Sequence, residues 1–221
     1  MSHELIYFMG HDEKPDWPES VKLHLPTVRG DGGIVEGNCP EGPTFSLQAP
    51  SLYELALRTK PKNIIEIGRR AGFSTRMLLD ACIKADAQLW SIDASENDIS
   101  ETLNEEQKKH FHQLVGDGTT YEFPEKAEFV FIDTWHTYGA TLAEMNWAWK
   151  FVKNPGIMMV YKSESHFACK KAAFEWAATN CPGGFIHDSR GQGFSLFIRP
   201  EYTHILRDRA APDTIHNSQF P

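Results

Sequence analysis

Residues 61–75 read Pro-Lys-Asn-Ile-Ile-Glu-Ile-Gly-Arg-Arg-Ala-Gly-Phe-Ser-Thr and constrain the fold more than any other stretch. Asn63, Ile64, Ile65 and Ile67 form a run with the apolar character of a buried strand in a parallel sheet, with Glu66 set into it. Gly68 follows at once, then Gly72, then the helix-favouring run Thr75-Arg76-Met77-Leu78-Leu79. Strand, glycine turn, helix is the unit by which α/β folds hold a nucleotide-like ligand at the carboxyl end of a strand. A glycine there lets the backbone turn tightly and approach a ligand, and the amides of the helix start favour a negative group. An ordinary βα turn would look the same over these fifteen residues. Glu66 is the unusual member, because burying even a neutral polar group without a partner costs about 2–7 kcal/mol. The dinucleotide pattern G-x-G-x-x-G is not met: Arg70 and Phe73 occupy the positions of its second and third glycines.

Downstream of Ala49, strand-like and helix-like segments alternate. Ser51 is placed to cap a helix running through Arg58. Strands are then expected at 63–68, 88–93, 113–116, 127–133 and 156–162, with helices near 72–85, 101–110, 138–152 and 166–179. Two short strands at 184–188 and 193–199, joined by Ser189-Arg190-Gly191-Gln192, read as a closing hairpin. Crossovers followed by one hairpin predict an α/β fold, a doubly wound, mainly parallel seven-stranded sheet with one antiparallel strand near an edge. Residues 1–48 are rich in Pro and Gly without periodicity and read as an irregular arm or lid. Residues 49–200 form the α/β domain, and 201–221 a loosely ordered tail.

Composition removes several classes of partner. A net charge of −8 provides no broad basic face for a nucleic-acid backbone. No run of about 18 apolar residues is present, and the first residues are too charged for a signal peptide, so neither a membrane span nor export is expected. Cys39, Cys82, Cys169 and Cys181 form no C-x-x-C pair, which fits reduced cysteines and a cytoplasmic location. The expected partner is a small molecule; the arm could also reach a second subunit in a homo-oligomer.

The order E-x-G-x-x-x-G-x-S-T over Glu66–Thr75 resembles the first motif of class I S-adenosylmethionine-dependent methyltransferases. The strand order with its terminal hairpin resembles the same family, whose fold is a Rossmann-like methyltransferase sheet. The resemblance spans about two thirds of the chain, from Leu52 to Arg199, and implies S-adenosylmethionine as cofactor. Glu66 and Gly68 would then bracket its methionine part, with Gly72 also against the cofactor and Ser74 supplying a hydroxyl and an amide at the helix start. Asp93, an acid at a strand end roughly 20 residues beyond the first glycine, matches the position from which a carboxylate takes ribose hydroxyls, although Asp-Ala-Ser-Glu is also good capping chemistry. Asp117 and Gly118 match the acid and glycine that the family sets against adenine; a plain G-D-G turn is the alternative. Arg69 and Arg70 are unusual in such a turn and either hold an anion or lie in solvent.

The segment Phe129–Tyr138, F-V-F-I-D-T-W-H-T-Y, resembles the fourth motif of small-molecule O-methyltransferases and the D-x-W-K segment of catechol O-methyltransferase. His136 stands where that family has its basic lysine, and Trp135 matches its tryptophan. The resemblance implies that Asp133 points into the cleft and that His136 removes the proton of an acceptor hydroxyl, or else orders the loop by bonding to Asp133. In metal-dependent relatives the next strand ends in a second acid that helps to hold a divalent ion. Here that position carries Lys162, which implies metal-independent transfer to a small-molecule or sugar-like hydroxyl, with Glu164 and His166 close enough to rescue a metal site. A non-catalytic relative that only binds the cofactor, or an enzyme that cleaves it, would share all these features.

Overall fold

The computed structural model describes residues 18–22, 27–28, 34–35, 49–181, 184–189 and 191–199. Of the expected arm, a short helix α1 (Glu19–Lys22) and an antiparallel pair, β1 (Thr27–Val28) and β2 (Ile34–Val35), are described. The rest of 1–48 and the expected tail at 201–221 lie outside the described residues.

The α/β part begins with α2 (Ala49–Arg58), β3 (Asn63–Ile67), α3 (Phe73–Ala85) and β4 (Gln88–Asp93). It continues through α4 (Glu105–Lys109), β5 (Phe111–Val115), β6 (Ala127–Ile132), α5 (Tyr138–Phe151) and β7 (Val152–Tyr161). α6 (Phe167–Asn180), β8 (Phe185–Asp188) and β9 (Phe194–Ile198) complete it. The seven-stranded sheet has the order β5-β4-β3-β6-β7-β9-β8. Its first five strands pair in parallel, and β9 runs antiparallel to both of its neighbours, β7 and β8. The doubly wound sheet with one reversed strand is thus as the sequence predicts.

All five residues of β3 are buried, as are the apolar residues of β6, because helices cover both faces of the sheet. Ile64, Phe129 and Phe131 pack on one face with Leu52 of α2 and Leu78 of α3. Ile65, Val130 and Met158 pack on the other with Met145 of α5 and Trp176 of α6. Chain order reverses between β3 and β6, so the crevice of this sheet opens at the carboxyl ends of β3, β4 and β6.

Two local expectations are corrected. Ser51 does not cap α2; the helix starts at Ala49, and Ser51 is a fully buried first-turn residue whose Oγ has no partner among the described residues. The single helix expected over 101–110 is a 3-10 turn at Ser100–Thr102 followed by the short α4. Asn104 divides them: its side chain accepts from the Gln107 amide while Gln107 Oε1 accepts from the Asn104 amide, a reciprocal cap that starts a new helix.

Candidate active site

The glycine turn is built on a buried polar base. Glu66 is wholly buried, and its carboxylate accepts from Ser74 Oγ at 2.5 Å, Thr75 Oγ1 at 2.7 Å and Ser91 Oγ at 2.5 Å. Burial pushes this carboxyl above its usual range, while the three hydroxyls pull it back. Glu66 therefore lines neither cavity described below; it ties β3, β4 and the first turn of α3 together from behind. Arg69 answers neither of its sequence readings. It is 2% exposed, and its guanidinium donates to the carbonyls of Ser91, Leu114 and Asn97. It is a strut beneath the turn, holding the ends of β4 and β5.

Backbone conformation explains the glycines. Gly68 has φ +96°, and a Cβ on it would stand 2.0 Å from the Asp133 carbonyl oxygen, so only glycine allows the turn to pass that close to the end of β6. Gly72 has φ +80° and would press a Cβ to 2.6 Å from Ile99 Cδ1. Gly72 shapes the entry to α3 and, like Glu66, is not part of the cavity walls.

The larger cavity, of about 700 Å³, runs along the ends of β3, β4 and β5 and includes Gly68, Asp93, Asp117, Gly118, Asp133 and Trp135 in its lining. Asp93 Oδ2 accepts from the amides of Arg69 and Arg70, each at 2.8 Å, and Oδ1 from the Ser95 amide at 2.7 Å. The acid thus clamps the glycine turn and caps its own loop while facing the cavity. Asp117 is exposed at the rim, and its Oδ1 accepts from the amide and hydroxyl of Thr119, bonds that hold its carboxyl below the usual range. A Cβ on Gly118 would lie 2.5 Å from Ile67 Cγ2, so the wall there is bare backbone against β3. Acids at a rim around a glycine-lined, partly apolar floor suit the hydroxyls, amine and flat ring of a nucleoside.

A smaller cavity of about 280 Å³ adjoins it and shares Gly68, Arg70, Asp133, Thr134 and Trp135. Ser74, His136 and Lys162 complete its polar walls with Arg69. At its centre Asp133 Oδ1 receives His136 Nε2 at 2.8 Å and Lys162 Nζ at 3.4 Å. Because the carboxylate accepts, Nε2 carries the ring proton and Nδ1 is left as the basic nitrogen. The His136 ring stacks on that of His166, centroids 4.5 Å apart. Arg70, His136 and Lys162 have φ of +48°, +53° and +57°. Such left-handed backbone at a non-glycine residue costs on the order of 1–3 kcal/mol and persists where the surroundings enforce it.

The structure thus brings Gly68, Ser74, Asp93, Asp117, Gly118, Asp133, His136 and Lys162 to one double cavity. It does not bring Glu164 there. That carboxylate is engaged by Lys170 at 2.7 Å and His187 Nε2 at 2.9 Å, on the side of α6 and β8. Among the described residues no group of three or more His, Cys, Asp or Glu side chains is arranged to hold a metal ion. Sequence reasoning missed Glu144 of α5, which is 5% exposed, lines the larger cavity and accepts from Thr134 Oγ1. Burial raises its carboxyl to about 7, and the nearby Asp117 and Asp133 add to the effect. Its signal was available: Thr141, Met145 and Ala148 mark the inward stripe of α5, and Glu144 falls on it.

Residues 65–160 match the family model of a methyltransferase domain. Over that stretch the chain is similar to a methyltransferase domain. By sequence, no curated protein is significantly similar to it. Solved structures share its fold. An O-methyltransferase from Bacillus cereus in complex with S-adenosylhomocysteine is 19% identical, with TM-score 0.56 over 81% of this chain and 87% of that one. The O-methyltransferase TomG from Streptomyces achromogenes, involved in tomaymycin synthesis and in complex with S-adenosylmethionine, is 18% identical, with TM-score 0.56 over 89% and 96%. The S-adenosylhomocysteine-bound methyltransferase PaMTH1 from Podospora anserina is 16% identical, with TM-score 0.57 over 90% and 94%. Among the described residues no helix is long and apolar enough to cross a membrane.

Proposed function

We propose that this chain transfers the methyl group of S-adenosylmethionine to the hydroxyl of a small or sugar-like molecule, without a metal ion and with His136 as general base. The cofactor is supported by the likeness to a methyltransferase domain and by the larger cavity, whose walls include Gly68, Asp93, Asp117 and Gly118. Asp93 and Asp117 would take its ribose hydroxyls and adenine amine, and Ser74 with the start of α3 its methionine end. When bound, the cofactor supplies an electrophilic methyl group on a sulfonium.

The observation that carries the rest is the bridge of Asp133 to His136 and Lys162. An ammonium occupies the neighbourhood in which metal-dependent relatives place a second acid, and it repels a divalent ion from that spot. Asp133 holds the His136 ring so that Nδ1 can accept the hydroxyl proton, a step worth about 10²–10⁴ in rate. Lys162 then faces the oxygen as it becomes negative. The remaining rate comes from holding the two reactants in line. On this reading the catalytic unit spans residues 49–200.

Calorimetry with S-adenosylmethionine and S-adenosylhomocysteine, followed by a mass-spectrometric screen of hydroxyl acceptors with and without EDTA, tests the proposal. Binding with EDTA-insensitive methylation is expected. Binding without turnover on any acceptor would mark a non-catalytic relative, and loss of activity in EDTA restored by magnesium would overturn the metal-independent reading.

A further inference from the structure

We propose that Glu164 and His187 form a positioning tie that anchors the loop carrying Lys162 and His166 to the β8–β9 hairpin. The inference rests on the methyltransferase reading and adds to it two residues that act through others. Glu164 lines neither cavity. Its Oε2 accepts from His187 Nε2 at 2.9 Å, which joins the loop after β7 to the edge strand β8. Lys170 Nζ donates to the same oxygen at 2.7 Å from α6. With the Nε2 proton given to the carboxylate, His187 Nδ1 accepts from the Ser195 hydroxyl at 3.0 Å, and Ser163 Oγ lies 3.0 Å beyond Ser195 Oγ. Serine, histidine and acid in this order are those of a hydrolase relay. Here Ser163 and Ser195 are fully buried and line neither cavity, so this series of bonds holds backbone in place and attacks nothing.

The backbone makes the same join. The amides of Glu164 and Ser165 both donate to the Gln192 carbonyl, at 3.0 and 3.1 Å, so the hairpin turn grips the loop at a second point. Gly193 has φ +70°, and a Cβ on it would stand 2.4 Å from Glu164 Cβ, so the turn lies directly against the loop. The gripped segment serves the smaller cavity. Lys162, two residues before Glu164, has φ +57° and sends Nζ to Asp133. His166, two residues after it, donates its amide to the Lys162 carbonyl at 3.2 Å and stacks its ring on His136. A non-glycine residue in left-handed conformation keeps that geometry only where its surroundings impose it. The hairpin supplies this constraint from outside the cleft, and a loop released from it would let the ammonium leave Asp133.

The test reads Lys162 directly. The full chain, without ligand, is treated with trinitrobenzenesulfonate, and peptide mass spectrometry compares labelling of Lys162 with that of Lys109, whose side chain is 67% exposed on α4. Glu164→Ala and His187→Leu cut the tie from either end, and each is expected to raise the Lys162-to-Lys109 ratio fivefold or more. Glu164→Gln, whose amide oxygen still accepts from His187, is expected to stay within twofold of the wild type. So is Lys170→Met, which removes only the α6 partner. On an acceptor found by the hydroxyl screen, Glu164→Ala should lower kcat tenfold or more, with S-adenosylhomocysteine affinity unchanged within twofold. In a Lys162→Met background the same change should lower kcat less than twofold, because a residue that acts through Lys162 has nothing left to position. Unchanged labelling in both cutting variants would overturn the proposal. So would equal effects of Lys170→Met and Glu164→Ala, or a full tenfold loss in the Lys162→Met background. If one cutting variant fails to fold, the other decides. Failure of the wild-type chain to bind S-adenosylhomocysteine would instead sink the methyltransferase reading, and labelling of the unliganded chain would still decide whether the tie holds Lys162.

Discussion

Lys162 at the end of β7 reaches across to Asp133 at the end of β6, Nζ to Oδ1 3.4 Å, and places a positive charge beside His136, which bonds to the same carboxylate oxygen. Two strand ends that neighbour in the sheet thereby share one charge pair, and the acceptor oxygen would meet both its base and its counter-charge at one point.

Replacing the ammonium tests that arrangement. Lys162→Met keeps the length of the side chain and removes the charge. We expect kcat to fall about 10²-fold, the usual scale for losing one electrostatic stabiliser, while the dissociation constant for S-adenosylhomocysteine changes less than threefold. A variant with unchanged kcat would leave Lys162 a structural partner of Asp133 only.

His136→Gln removes the basic nitrogen but keeps a group able to donate to Asp133. Loss of about 10²–10⁴ in kcat/KM is expected. If the variant retained wild-type kcat/KM, another group would be the base.

Glu144 makes stability depend on pH. Its carboxyl titrates near 7 in the folded chain against an ordinary value of 4.5, so between these limits the folded state holds the proton more tightly than the unfolded state. Its contribution is complete below about pH 4.5 and lost as pH rises through 7, a change on the order of 3 kcal/mol. Glu144→Gln, which cannot ionise, should match the wild type in urea melts at pH 5 and exceed it at pH 8. Equal curves at both values would contradict the buried, proton-holding environment.

Trp135 is 74% exposed yet lines both cavities. Trp135→Ala should change the melting temperature little, since exposed side chains away from the core contribute within about 0.5 kcal/mol. Its effect belongs to ligand binding. Stacking of a base on an aromatic side chain is worth about 1–3 kcal/mol, so affinity for S-adenosylhomocysteine should drop five- to 150-fold. A cofactor affinity equal to the wild type would remove Trp135 from the site.

The fold was legible because the sheet is covered on both faces: Asn63–Ile67, with Glu66 set into it, and Phe129–Ile132 read as mainly apolar runs and are buried accordingly. The acids at strand ends were legible from their place in the alternation of segments, since Asp93, Asp117 and Asp133 each stand at or just beyond the end of a strand. Contacts made at long range were not. Arg69 bonds to carbonyls 22 to 45 residues away, and nothing in the turn itself distinguishes that from an arginine in water. The double duty of Asp93, a clamp on two amides as well as a cavity wall, likewise appears only when β3 and β4 are side by side. Glu164 stood near the site in sequence but turns to Lys170 and His187 because the left-handed residue at 162 redirects the chain after β7.

The Arg69 strut has a consequence for how a ligand would be received. With its guanidinium fastened to the carbonyls at the ends of β4 and β5, and its amide fastened to Asp93, the turn has its shape before anything enters. A receptor wall preorganised in this way surrenders little conformational entropy on association, so more of the contact energy appears as affinity. The floor of the cleft would then act as a rigid template, leaving the fitting to the side chains at its mouth.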